Sequence, residues 1–239
     1  MAQMTSTNRH AGNIAFVEEA AAHAADQGCH LLALPEAAGM MNKDRDDARS
    51  QITQEADDPF VTACKALAAR HGIWIQTGST PVASGDGRFL NHGNLIDDTG
   101  ASVAQYDKIH LFDVFLEGRP PTGESNRYAP GGEAVLIDTP WGPWGLTICY
   151  DLRFPHLYRD FAKRGATVMF IPSAFTVPTG DAHWETLLRA RAIENGAFVV
   201  AAAQVGLHDD GRKTWGHSMI VDPWGKVMVD MGGSEPGLA

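Results

Sequence analysis

The chain is short of cysteine. Only Cys29, Cys64 and Cys149 occur in 239 residues, an odd number without the spacing of a disulfide framework. That excludes a small stapled scaffold. It suits free thiols in a reducing compartment, so a cytoplasmic location is expected. Positive charge is also scarce: 19 Lys and Arg stand against 29 Asp and Glu, giving a net charge of −10. No basic run offsets this balance, which argues against a nucleic-acid groove or an anionic membrane surface as partner. No apolar run approaches the ~20 residues of a membrane span. The opening, Met1 to Ser6, lacks the basic-then-apolar pattern of a signal peptide. No Cys-x-x-Cys, His-Glu-x-x-His, Gly-x-Gly-x-x-Gly or phosphate loop is present, so neither a metal nor a nucleotide cofactor is indicated.

What is present is enough apolar residue, 44 % of the chain, to build the core of one large α/β domain over 1–239. Met1 to Ser6 reads as the end of a strand. Asn13 to Gln27 is rich in Ala and Glu and reads as a helix stopped by Gly28. Leu31 to Leu34 is a short apolar run of the kind found in buried strands. Asp58 and Pro59 serve as N-cap and first residue of a helix running to His71, with Phe60, Cys64, Leu67 and Ala68 on its apolar face. Ile73 to Thr77 is a strand. Ser84 to Gly87 signals a hairpin turn, and Asn91 to Ile96 with Ala101 to Tyr106 forms a strand pair around Asp97 to Gly100. The span Lys108 to Gly132 is long, polar and irregular, as functional segments of compact domains are. Strands are then expected at Ala134 to Asp138, Trp144 to Ile148, Thr167 to Ile171, Phe198 to Gln204, Gly216 to Val221 and Lys226 to Val229. Helices are expected at His156 to Arg164 and Ala182 to Asn195, stopped by Gly165 and Gly196. Such alternation, with hairpins in the middle, implies a mixed sheet or two sheets with helices outside.

Three positions share a pattern. Glu36, Lys108 and Cys149 each follow a strand, and strand ends are where α/β folds gather site residues. Cys149 stands on a tight strand-to-helix turn, which exposes one side chain and aims backbone N–H groups at whatever it attacks. A carboxylate can take the thiol proton. An ammonium can favour the thiolate and then steady an oxyanion. Taken singly, Cys149 reads equally well as a small core residue, and Glu36 and Lys108 as surface residues. His183 and His217 are available as partners of a papain-type cysteine, but the local signature around the cysteine is absent. His183 and Glu185 are badly spaced for sharing a metal on a helix.

Taken together, three motifs carry a resemblance. Gly145 to Pro155 resembles the nucleophile motif of the carbon–nitrogen hydrolase (nitrilase) superfamily, Leu31 to Glu36 its glutamate motif, and Tyr106 to Asp113 its lysine motif. The resemblance continues through Pro172 to Phe175, Thr179 to Asn195, Ala201 to Gln204 and Gly216 to Gly225. It implies a four-layer α-β-β-α sandwich, a homodimer and a cofactor-free hydrolase of a linear amide. By that resemblance Cys149 is the nucleophile, Glu36 the general base and Lys108 the oxyanion stabiliser, helped by the Tyr150 N–H. Glu124 fits the family's second glutamate better than Glu117. Arg153 matches an arginine that related enzymes place on a substrate carboxylate, with an ion pair supporting the turn as the alternative. Tyr150 and Asp151 stand where nitrilases carry Trp and Glu, which favours an amidase. The later segments look most like amidases of deaminated glutathione, a small-molecule amide with a carboxylate. An ω-amidase, an N-carbamoyl hydrolase and a non-catalytic scaffold are the rival readings. The chain is shorter than such relatives at both ends, which puts the dimer in question.

Overall fold

A computed structural model describes residues 1–114 and 122–239; Glu117 lies outside the described residues. Among the described residues there are five α-helices: α1 (His10–Asp26), α2 (Arg45–Arg49), α3 (Pro59–His71), α4 (Pro155–Lys163) and α5 (Val177–Asn195). The first sheet contains β1 (Leu31–Ala33), β2 (Trp74–Gln76), β3 (Thr80–Ala83), β4 (Phe89–Ile96) and β5 (Ser102–Asp107). The second contains β6 (Val135–Thr139), β7 (Gly142–Leu146), β8 (Val168–Phe170), β9 (Phe198–Ala201), β10 (Met219–Val221) and β11 (Val227–Asp230).

In the first sheet β1 runs parallel to β2, while β2, β3 and β5 all pair antiparallel with β4. In the second, β7, β8 and β9 are parallel neighbours, flanked by antiparallel β6 on one side and β10 and β11 on the other. The period-2 alternation of strand side chains divides the core. Leu32, Leu34, Ile75 and Ile96 face α1 and α3, where Val17, Phe60, Cys64 and Leu67 meet them. Their neighbours Ala33, Trp74 and Leu95 face the other way, toward Trp144, Leu146 and Met169 of the second sheet. Beyond that sheet, Tyr158, Phe161, Trp184 and Leu188 of α4 and α5 close the other side. Helix, sheet, sheet and helix therefore stack in that order, and the parallel strands carry the glutamate and cysteine at their ends.

Cys64 is buried in this core, as its helical register implies. Burial, reinforced by the nearby Asp58 charge, pushes its thiol well up. Asp58 caps α3 through the Val61 N–H at 2.8 Å, and Gly72 ends the helix with φ +62°. Met1 to Ser6 supplies the short strand Ala2–Gln3, which pairs antiparallel with Gly237–Leu238.

The structure departs from the sequence reading in several places. Helix α5 starts at Val177, five residues before the expected Ala182. Pro178 is tolerated in its first turn, where the N–H has no helical partner. Gly180 is required there because a Cβ would come within 2.1 Å of the Trp215 ring. Strand β3 was not expected. It contains Pro81, which an edge strand accommodates. Helix α2 is short and polar and is held by its Asp44 cap. The polar loop 207–213 belongs to a hairpin joining Val205–Leu207 to Lys213–Trp215. No helix among the described residues is long and apolar enough to cross a membrane.

Candidate active site

Cys149 opens a five-residue 3₁₀ turn, Cys149–Arg153, between β7 and α4. Its φ is +50°, a left-handed conformation that costs a non-glycine residue about 1–3 kcal/mol and persists only where the surroundings enforce it. The enforcing contacts are visible. The Cys149 N–H donates to the Pro172 carbonyl at 2.9 Å. The Asp151 carboxylate, fully buried, accepts from the Ile148 N–H at 2.9 Å and the Tyr106 hydroxyl at 2.7 Å. Its other oxygen takes the His110 N–H at 2.9 Å and faces the His110 ring nitrogen at 2.7 Å. From α5, Arg191 donates twice to the Leu152 carbonyl, at 3.0 and 2.7 Å. The Tyr150 N–H, at the start of the turn, donates to no acceptor among the described residues, as expected of a first-turn N–H.

Glu36 follows β1, and its approach depends on Gly78. Gly78 has φ +64°, and a Cβ on it would stand 1.8 Å from the Pro35 carbonyl oxygen. Ala37, just past Glu36, is also left-handed at φ +56°. Gln204 fixes the Glu36 backbone by donating to its carbonyl at 2.9 Å. Lys108 follows β5. Its ammonium is 2 % exposed and donates to Glu36 Oε1 at 2.8 Å and to Glu124 at 2.9 and 3.2 Å. The carboxylate of Glu36 also accepts from Asn91 Nδ2 and the Ala174 N–H, both at 2.9 Å. Glu124 accepts from the Phe112 N–H at 2.6 Å.

Glu36, Lys108, Glu124, Cys149 and Tyr150 thus line one cavity of about 360 Å³. Arg153 is not in its lining. The guanidinium lies over the rings of Tyr150 and Phe175, at 5.8 and 5.6 Å, with His183 Nδ1 at 3.2 Å. No carboxylate pairs with it among the described residues, so the expected ion pair is replaced by cation–π packing. His183 and His217 sit elsewhere, the latter on Asp230 at 2.9 Å. Among the described residues no group of three or more His, Cys, Asp and Glu is arranged to hold a metal ion.

The charges set the resting protonation. Burial would push the Glu36 carboxyl up, but the Lys108 charge and hydrogen bonds from Cys149, Lys108 and Asn91 outweigh it and hold it below the usual value. Burial works against the Lys108 charge too, yet Glu124 and Glu36 keep its ammonium well above the ordinary lysine range. Burial first, then the Glu36 charge, hold the Cys149 thiol well up, and the pull of Lys108 does not reverse this. The Lys108 charge pulls the thiol down, as a neighbouring cation does, but burial and Glu36 outweigh it. The ammonium is already shared between two carboxylates. These directions favour a carboxylate, an ammonium and a neutral thiol, a set in which a carboxylate can take a proton from an attacking thiol.

Sequence reasoning missed Asn91, the Ala174 N–H, Asp151 as a support, Arg191, and the cavity-lining Arg127 and Arg212. Asp151, Ala174 and Arg191 lie in segments that carry the resemblance but without a role assigned there; Asn91, Arg127 and Arg212 stand in no local pattern that announces a site.

Comparison with known proteins places the whole chain, residues 1–239, in a match to the family described as carbon-nitrogen hydrolase. The deaminated glutathione amidase of Yersinia enterocolitica is 42 % identical over 231 residues, covering 95 % of this chain and 79 % of that protein. The nitrilase and fragile histidine triad fusion protein NitFhit of Caenorhabditis elegans has a crystal structure that superposes with a TM-score of 0.89 at 38 % identity, covering 98 % of this chain and 57 % of that one. An amidase of Nesterenkonia sp. AN1, solved with acrylamide added to its active-site cysteine, superposes with a TM-score of 0.85 at 28 % identity, over 99 % of this chain and 89 % of that one.

Proposed function

The chain belongs to the carbon–nitrogen hydrolase family, and from that premise we propose that it hydrolyses a linear amide by a Glu36–Lys108–Cys149 mechanism, with deaminated glutathione as substrate. One observation carries the catalytic assignment. The Glu36 carboxylate accepts from the Lys108 ammonium at 2.8 Å and lines one cavity with the buried Cys149. A base, a nucleophile and a cation for the oxyanion thus share one cavity.

The reaction proceeds in two halves. Glu36 takes the thiol proton as Cys149 Sγ bonds to the amide carbon. The carbonyl π electrons move to oxygen, which Lys108 and the Tyr150 N–H stabilise. Collapse of this intermediate breaks the C–N bond, and Glu36 returns the proton to the departing amine. The acyl group remains as a thioester. Glu36 then deprotonates water, hydroxide adds to the thioester carbon, and the thiol leaves with the proton. No electron acceptor or further reactant is needed. The neutral resting thiol supports this order, since proton transfer and attack are coupled.

The substrate assignment follows from the amidases named above and from the small, partly apolar cavity. The test compares ammonia- or amine-release rates on deaminated glutathione, α-ketoglutaramate and N-carbamoyl amino acids, for the unmodified chain and for Cys149→Ala. The expected result is fastest release from deaminated glutathione and loss of all turnover in Cys149→Ala with an unchanged circular-dichroism spectrum. Retained turnover in Cys149→Ala defeats the mechanism; faster ureido-acid hydrolysis defeats the substrate. A cytoplasmic homodimer belongs to the same proposal. Exposed Ile193, Trp224 and Met228 supply apolar surface of the kind subunits bury. A light-scattering mass of one 25.7 kDa chain rather than two would overturn that part.

A further inference from the structure

The floor of the cavity is anionic and its rim is not. At the floor one ammonium faces two carboxylates. Arg127 lines the wall and is held by two uncharged acceptors, the Lys43 carbonyl at 3.0 Å and the Asn42 carbonyl at 3.3 Å. Its Nε–H is buried with no partner among the described residues. The acids of this region are committed elsewhere, Glu36 and Glu124 to Lys108 and Asp210 to Arg212. Arg212 lines the same cavity with its side chain 47 % exposed. Lys43 is exposed beside it, its ammonium 3.4 Å from where a Cβ on Gly211 would stand. In a chain of net charge −10 two guanidinium groups line this one cavity, with Lys43 next to the loop that carries Arg212.

A guanidinium fixed by backbone carbonyls, with unpaired N–H groups, matches a planar carboxylate. The order of the reaction says which half of the substrate reaches it. The acyl group stays on Cys149, which is 7 % exposed, while the amine must leave first. The amine half therefore faces the open rim, where Lys43 and Arg212 are exposed. We propose that Arg127, assisted by Arg212 and Lys43, forms a binding subsite for a carboxylate carried on the leaving-amine half of the substrate. This rests on the amidase reading. It explains how the chain would prefer an amide of a dipeptide acid, such as deaminated glutathione, over a primary amide whose leaving group is ammonia.

The test uses deaminated glutathione and its C-terminal carboxamide, which differ only in the charge on the leaving half. In the unmodified chain the acid form should show a kcat/KM at least tenfold above the carboxamide. Arg127→Met should bring that ratio to within twofold of one, and Arg127→Lys should restore part of it. The ratio is unaffected by the fraction of protein that folds. A ratio near one in the unmodified chain, or an unchanged ratio in Arg127→Met, overturns the subsite. The same two compounds are then used to protect Cys149 from iodoacetamide, which needs no turnover. Protection by the acid at a tenfold lower concentration than the carboxamide, lost in Arg127→Met, supports the subsite even if neither compound is hydrolysed and the substrate assignment fails. Equal protection by both overturns it.

Discussion

Replacing Asp151 by Asn tests whether the nucleophile turn is held by a buried carboxylate. Four polar groups address that carboxylate: the Ile148 N–H, the Tyr106 hydroxyl, the His110 N–H and the His110 ring nitrogen. Asparagine has the same shape but only one accepting oxygen. If that oxygen stays on His110, the Tyr106 hydroxyl can rotate to accept from the amide, but the Ile148 N–H is left facing a donor. If the amide is flipped, the His110 N–H is left instead. Either way one buried backbone donor is stranded, at about 1–3 kcal/mol, and the remaining bonds lose the strength of a charged acceptor. The sum is about 2–4 kcal/mol out of the ~5–15 kcal/mol typical of a domain. For a chain of this size that corresponds to a fall in Tm of roughly 5–15 °C. Urea unfolding should show a lower midpoint with an unchanged m value. Asp151→Ala strands every one of these donors and should be worse. Turnover should fall with Asp151→Asn as well, because the Ile148 N–H is the last contact before the left-handed Cys149. A stability change under about 0.5 kcal/mol would show that the turn does not depend on the charge, and the reasoning would fail.

Two further outcomes follow from the same geometry. Glu36→Gln removes the base and the negative charge beside the thiol. Turnover should fall at least ~100-fold, the lower end for loss of a general base, while the Cys149 thiol becomes more acidic, so iodoacetamide alkylation should reach its plateau at lower pH than in the unmodified chain. A higher plateau pH would be inconsistent with the charge balance described. Because Lys108 and the hydrogen bonds hold the Glu36 carboxyl below its ordinary value of 4.5, its stabilising contribution is complete above that pH and is lost as pH falls through the lowered value; acid unfolding of Glu36→Gln should lack that component. Gly78→Ala meets both a left-handed φ and the Pro35 carbonyl, and should cost several kcal/mol by urea unfolding because the strand end bearing Glu36 must move.

The sequence was most legible where chemistry sits at the end of an apolar run. Glu36, Lys108 and Cys149 could be proposed because each terminates a strand, and strand ends converge in sheets with parallel segments. What could not be read is everything that depends on segments far apart in the chain. The Ala174 N–H that meets Glu36 is 138 residues away, and Gln204 reaches back 198 residues to Ser6. Asp151 was noticed only as a neighbour of the cysteine, since its partners Tyr106 and His110 belong to a different strand and the loop after it. Pro178 and Gly180 concealed the start of α5, because proline in a first turn and glycine under an indole are tertiary accommodations. Arg127 stood in a polar, irregular stretch with no periodicity, and that no carboxylate among the described residues pairs with it is visible only in three dimensions.

The protonation of the resting site bears on selectivity as much as on rate. A thiolate held permanently beside a cation is open to oxidants and to any electrophile that reaches it. Here the neighbouring cation is already divided between Glu36 and Glu124, so ionising Cys149 would add another negative charge to a floor that has one in excess. In the proposed mechanism the thiolate becomes favourable only when a carbonyl oxygen arrives to take up negative charge against Lys108 and the Tyr150 N–H. The second carboxylate, Glu124, is therefore not redundant with Glu36. It holds Lys108 by hydrogen bonds at 2.9 and 3.2 Å and favours its charged form. Substrate, rather than the protein alone, completes the nucleophile, and this ties reactivity to the presence of a carbonyl of the right shape.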